Sequence, residues 1–289
     1  MQYLINGFIS GSVIALLAIA LQVVYLPTRV LFVALAGVYS FAPFVASAVL
    51  QADGGWVVAI AAAVLFSSGV SMLCELVNHA PLARRGASEL AQFVTSLGIY
   101  MVLIQLTAMI WGGETRTLRR GLEGITTLGG LVITQSQWTT LVVSAILITG
   151  FVSFLLYSDI GLQLRALADN PTQLALFGYN LNYLRLLVFS TAGGLAAAGS
   201  ILNAYDVGFD PFLGLQAILL ALVAVIIGGR SSFAGPVIAS LLLGILRAGV
   251  VWNFSARWQD AITYALLALF LLFRPQGLIS QQSRIEASA

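Results

Sequence analysis

The sequence predicts an all-α integral membrane protein, a polytopic bundle of eight or nine transmembrane helices. Two observations carry this reading. Hydrophobic residues make up 60% of the 289 residues and charged residues only 8%, whereas a soluble domain carries about 25% charged residues. Apolar stretches of the roughly 20 residues needed to cross a hydrocarbon core recur from Tyr3 to Phe273. They are long and do not alternate, so they read as helices and not as barrel strands, each satisfying its own backbone N–H and C=O groups.

In chain order, hydropathy puts helices near Tyr3–Leu26, Val30–Leu50, Trp56–Val77, Leu90–Trp111, Trp138–Tyr157, Leu184–Leu202, Phe212–Ile227, Pro236–Trp252 and Gln259–Phe273. The first lacks a basic leader and exceeds the length of a signal-peptide core, so it reads as an uncleaved span. An outside N-terminus leaves Arg29, Arg84, Arg85, Arg165, Arg185, Arg230, Arg274 and Arg284 on the cytoplasmic side. Only Arg116, Arg119, Arg120 and Arg257 then lie outside, with Arg247 inside a helix. The positive-inside rule therefore favours an outside N-terminus and a cytoplasmic C-terminus. Between the seventh and eighth helices, residues 228–236 read either as a short glycine turn or as a re-entrant tip, and in the second case Arg230 would belong to a gate.

Composition also excludes several functions. The net charge of +2 arises from thirteen arginines and no lysine. They are scattered, so no basic block suggests nucleic acid. Without lysine there is no phosphate-binding loop of the Gly-x-x-x-x-Gly-Lys type, and the chain hydrolyses no nucleotide itself. The lone Cys74 forms neither an intrachain disulfide nor a multi-cysteine metal site. His79, the only histidine, is placed at the inner membrane edge and offers no metal spacing, so no cofactor or metal is expected on this chain. An intramembrane enzyme is disfavoured for the same reasons. A self-contained secondary transporter or channel is the competing class; it would ordinarily show intramembrane charges or internal repeats with broken helices.

Two loops are long enough to carry structure. The outer one, about 112–137, holds Glu114, Arg116, Arg119, Arg120 and Glu123 and reads as a solvated face or a site for an extracytoplasmic partner. In the other, about 158–183, Asn170 can cap a short helix opened by Pro171, and Gly178 can end it. That predicts an amphiphilic helix on the cytoplasmic surface with Leu174 and Phe177 on one side. It is a knob suited to docking, or else merely a capped connection.

This loop and the glycine-rich segment that follows, Gly193–Gly199, resemble the permeases of bacterial ABC importers for branched-chain amino acids and urea. Further matches occur in order: Asn6-Gly7 with Gly11-Ser12, Glu75 with Pro81-Leu82, residues 95–98, Gly228-Gly229 with Gly235-Pro236, and residues 274–278. The resemblance spans about residues 5 to 279 and implies a single transmembrane permease domain over 1–289 with type II-like architecture. It implies that Arg165, Asp169, Asn170, Pro171, Leu174, Ala175, Phe177, Gly178 and Asn180 form the coupling helix that fits a cleft of a cytoplasmic ATPase. The implied partners are two ATPase subunits or domains that carry ATP and Mg, a second permease that is a different but related chain, and an extracytoplasmic solute-binding protein. The implied location is the bacterial inner membrane. The implied substrates are branched-chain amino acids, urea or amides, or a related small organic acid. One departure stands out, because the family's polar Asn-Phe-Ala-His-Gly-Glu-like run is replaced here by residues 32–37. Phe32, Leu35 and Gly37 take the polar positions, which points either to a more apolar ligand or to drift in a packing motif.

Among individual residues, Asn6, Gln92, Thr95 and Ser96 are candidates for the pathway. Gln92 with Thr95 or Ser96 shares one helix face; such groups also bond across helix interfaces. Glu75, with Arg84 and Arg85 in the loop after it, reads as a structural ion-pair or snorkelling residue. Asp206 and Asp210 flank Gly208, with nothing to suggest a reacting group between them.

Overall fold

The computed structural model describes residues 2–119, 124–128, 131–229, 233–274 and 277–278. All nine hydropathic segments are helical. They are α1 (Gln2–Thr28), α2 (Leu35–Gln51), α3 (Trp56–Cys74), α5 (Glu89–Trp111), α6 (Gln135–Tyr157), α9 (Leu181–Asp206), α10 (Leu213–Gly228), α11 (Ala234–Asn253) and α12 (Gln259–Phe273). Among the described residues seven helical stretches are long and apolar enough to cross a membrane, and α2 and α10 are shorter apolar helices. Three features lie beyond the hydropathic pattern. A π-helical turn, Glu75–His79, and a short α4, Ala80–Arg84, prolong α3. Helices α7 (Asp159–Asp169) and α8 (Pro171–Leu176) fill the loop after α6, and strands β1 (Ile125–Leu128) and β2 (Leu131–Thr134) form an antiparallel hairpin before it.

Helix α1 runs through the middle of the bundle. In its most apolar stretch 78% of residues are buried, against 6% in that of α12; its neighbours are α11, α9, α10 and α6. The contact with α11 is close enough to demand glycine. A Cβ on Gly7 would lie 2.6 Å from the Ile245 Cα, and one on Gly11 2.9 Å from the Ser240 carbonyl oxygen. Small residues here let two backbones touch where lipid supplies no hydrophobic drive for association.

Buried hydroxyls join the other helices. Pro43 lies inside α2 and has no N–H to give the carbonyl four residues earlier. That carbonyl, on Tyr39, instead accepts from the Ser200 hydroxyl of α9. Ser40 Oγ accepts from the Gly214 N–H at the start of α10, 2.9 Å away. The ends of the remaining helices follow sequence capping signals. Thr134 and Gln137 form a capping box on α6, and the Asp210 carboxylate receives the Phe212 and Leu213 N–H groups at the head of α10. Asp210 is thus a cap, while Asp206, at the end of α9, accepts from Ser136 at 2.9 Å.

At the end of the bundle that bears the N-terminus, Arg116 and Phe209 exchange backbone hydrogen bonds. The Gln2 side chain bonds both the carbonyl and the N–H of Val132 in the hairpin. The loop between α5 and α6 is therefore folded onto the bundle at both points. Arg120 and Glu123 of the expected charge cluster fall outside the described residues.

Candidate functional site

The chain leaves α6 at Tyr157 and turns at once into α7, because Ser158 accepts the Gly161 N–H on its hydroxyl at 2.9 Å. Gly161, Leu164 and Leu167 form the buried face of α7, and Arg165 ties it to α6 by donating to the Leu156 carbonyl at 3.2 Å. Asp169 is the last residue of α7 and is exposed. Asn170 then caps α8 through the Gln173 N–H at 3.1 Å, with Pro171 in its first turn. Helix α8 ends at Leu176; Gly178, with φ +85°, reverses the chain, and Asn180 caps α9. The fold thus sets two short helices where one was expected. The sequence signal for the first was a serine cap followed by apolar or small residues at helical spacing.

The expectation that Leu174 and Phe177 share one side does not hold. Leu174 is buried in the main core together with Leu164, Leu167 and Leu184. Phe177 is 80% exposed and Leu176 84%. Helix α8 has ended by Phe177, whose ψ of 3° turns the backbone out of helical geometry. Leu174 is thus an anchor, and Leu176 and Phe177 project beside the exposed Pro171, Ala175 and Tyr179. The result is an apolar prong on a base anchored in the core by Leu174. Leu176 escaped sequence reasoning because it lies off the face that Leu174 defines.

Behind the prong lies a charged contact that the sequence did not pair correctly. Glu75, 1% exposed, binds Arg185 of α9 through Oε1 and Nε at 2.6 Å, and neither Arg84 nor Arg85 is its partner in that bond. His79 is fully buried, its ring 5.5 Å from that of Phe32 and 5.4 Å from that of Phe189.

The pathway candidates separate. Ser96 is buried and its Oγ accepts the Ala34 N–H at the head of α2, 2.9 Å away. Thr95 accepts from Asn78 of the π turn at 3.1 Å, and Gln92 donates to the Ala87 carbonyl at 3.4 Å. All three knit α5 to its surroundings. Asn6 borders a cavity of about 390 Å³ between α1 and α11, lined also by Ser10, Trp252 and Gln259. A second cavity, of about 330 Å³, lies among Asp53, Trp56, Arg119 and Tyr205. Arg230 lies outside the described residues; the Gly228 and Gly235 backbones on either side of it are in direct contact. Arg247 donates to Asp260 at 2.8 Å and to Thr263 at 3.1 Å.

Residues 3–271 match the family described as branched-chain amino acid transport system / permease component. The chain belongs to this family. It is 29% identical to the high-affinity branched-chain amino acid transport system permease protein BraD of Pseudomonas aeruginosa, over 97% of this chain and 96% of that one. It is 27% identical to the corresponding permease protein LivH of Escherichia coli, with the same shares covered. The autoinducer 2 import system permease protein LsrC of Yersinia pestis is 26% identical over 92% of this chain and 75% of its own length. Among solved structures, PsaBC from Streptococcus pneumoniae in complex with Fab matches with a TM-score of 0.50 and 14% identity, over 96% of this chain and 93% of that chain. That likeness concerns the fold alone. Within this permease family the run at residues 32–37 is now interpretable: Phe32, Leu35 and Gly37 are all buried, and a Cβ on Gly37 would lie 2.8 Å from the Leu103 side chain. The three residues pack helices together and line neither cavity.

Proposed function

We propose that this permease is a membrane-spanning subunit of an ATP-driven importer of branched-chain amino acids or a closely related small organic acid or amide. It provides part of the pathway and alternates access when two cytoplasmic ABC ATPase subunits or domains, which hold ATP and Mg, close on its α7–α8 segment. A second, related permease chain completes the pathway, and an extracytoplasmic binding protein delivers the solute. The membrane is the bacterial inner membrane, with the N-terminus outside and α7–α8 and the C-terminus in the cytoplasm.

The observation that supports this reading most is the prong. Exposed Leu176 and Phe177 on a base fixed by Leu174 and Arg165 form an apolar projection from the loop between two spans, which water alone disfavours. A cleft in an ATPase would bury it. Arg165, Asp169, Asn170, Pro171, Ala175, Gly178 and Asn180 then shape or surround the docking surface. Arg29, Arg84, Arg85, Arg165, Arg185 and Arg274 gather at the same end, as the positive-inside rule asks of a cytoplasmic face.

Affinity purification of the tagged chain from membranes in mild detergent, followed by mass spectrometry, tests the assembly. Retained ATPase subunits support it, and uptake of radiolabelled leucine by the reconstituted complex supports the substrate. A single chain that moves solute on an ion gradient without any ATPase would replace this reading with an autonomous transporter.

A further inference from the structure

Six buried side-chain atoms that find no hydrogen-bond partner among the described residues gather on one seam. They are Ser67 Oγ, Ser71 Oγ, Glu75 Oε2, both ring nitrogens of His79 and Arg185 Nη2. All belong to the contact of α3 and its π turn with α9. A Cβ on Gly193 would meet the Ser71 side chain and lie 2.6 Å from the Ser67 carbonyl oxygen. Glu75 meets Arg185, and His79 meets Phe189. Buried polar groups are ordinarily paired, so a concentration of unpaired ones needs a cause.

The ion pair itself is incomplete. A guanidinium and a carboxylate fit each other as two parallel hydrogen bonds, yet only Nε and Oε1 are joined here, while Oε2 and Nη2 are left over. Glu75 and His79 sit at the two ends of a π turn, an insertion that recurs at functional positions in helices. Arg185 lies one turn into α9, whose cap Asn180 follows directly from the prong. Helices α7 and α8 are thus joined to the first turns of α9, through the chain and through Leu184 packed with Leu164, Leu167 and Leu174, one residue before Arg185.

We infer that Glu75, Arg185 and His79 are positioning residues for coupled transport. They hold α9 against α3 in one of two registers, and movement of the prong slides α9 along the seam to a second register that pairs the groups left over in this one. Small side chains at Gly193, Gly194, Ser67 and Ser71 leave the seam smooth enough for such a shear, and discrete repacking is how small shifts become large transitions. The inference rests on the permease reading above.

The test uses the complete complex in proteoliposomes and reads ATP hydrolysed per leucine imported. Glu75→Gln and Arg185→Gln should each raise that ratio about tenfold or more, within the range of ordinary coupling free energies, and Arg185→Lys should restore most of it. Parallel loss of hydrolysis and uptake at an unchanged ratio would show a merely structural pair and overturn the inference. A second measurement does not need these variants to fold. In a Cys74→Ala background, Ser68→Cys with Gly194→Cys puts thiols within disulfide reach, since a Cβ on Gly194 lies 3.1 Å from Ser68 Oγ. Cross-linking yield should differ between ATP-bound and nucleotide-free complex, and the cross-link should block import until reduced. Equal yields with undiminished import would sink the idea. A wild-type complex that hydrolyses ATP but imports no leucine counts against the substrate alone, because the nucleotide dependence of cross-linking still decides the latch. A wild-type chain that retains no ATPase removes both.

Discussion

Ser96 is buried, and its hydroxyl relieves the Ala34 N–H at a buried helix start, where no intrahelical acceptor exists. Ser96→Ala therefore leaves a donor unsatisfied and should cost about 1–3 kcal/mol, read as a lower unfolding temperature in detergent, with uptake per folded molecule unchanged. The Arg247–Asp260 pair makes a directional prediction. Arg247 is 9% exposed at its side chain and Asp260 46%, so the two halves are not equivalent. Asp260→Asn removes the counter-charge of a buried cation, whereas Arg247→Met leaves a half-exposed carboxylate that still accepts from Gln216 at 3.0 Å. Thermal unfolding should rank Asp260→Asn as the more damaging; equal loss would mean that the carboxylate is as enclosed as the guanidinium. These roles were only half visible in the sequence. The positions of Gln92, Thr95 and Ser96 on a common face could be read, but not whether that face met a path or another helix, because this depends on which helix lies opposite.

At the scale of an element, α8 separates anchoring from contact. Leu176→Asp or Phe177→Ala alters a side chain that touches little of this chain, so folding should be spared. Co-purification of the ATPase should fall about tenfold, since loss of an interface anchor commonly costs more than 1 kcal/mol. Gly178→Ala acts differently, because φ is +85° there and a side chain in the left-handed region costs about 1–2 kcal/mol. Its signature is destabilisation of the knob, seen as faster proteolysis after Arg165, with ATPase retention lost in step. The boundaries of α8 were legible from Asn170, Pro171 and Gly178, since caps and breakers act locally. The π turn was not legible, because nothing in residues 75–79 departs from ordinary helical composition; it lies where Glu75 and His79 both meet α9. The departure at Phe32, Leu35 and Gly37 was legible as a change of polarity, but its meaning depended on burial that only the fold reveals.

Across the whole molecule, nine apolar helices were readable because each keeps its apolarity over more residues than a strand needs, and seven of those described are long enough to cross a membrane. Their arrangement was not, and the central place of α1 could be guessed only in retrospect from Gly7 and Gly11. Sidedness can be tested directly, since buried Cys74 is the natural thiol of this chain and should not react. Val207 is 72% exposed at the end of α9 that faces the N-terminus, and Thr172 is exposed on α8. A membrane-impermeant maleimide applied outside the inner membrane should label Val207→Cys in intact cells. Thr172→Cys should react only after the membrane is opened, and the reverse pattern would invert the topology.

The proline in α2 has a consequence for how such a chain can diverge. Pro43 frees the Tyr39 carbonyl, and Ser200, far away in sequence, donates its hydroxyl to it. Neither residue makes full sense alone. A lineage that lost Ser200 first would carry an unpaired carbonyl, whereas one that lost Pro43 first would regain a helical N–H donor that the carbonyl's second lone pair can accept. The order in which mutations arrive at the two sites thus matters, since Ser200 is dispensable only where Pro43 has already gone.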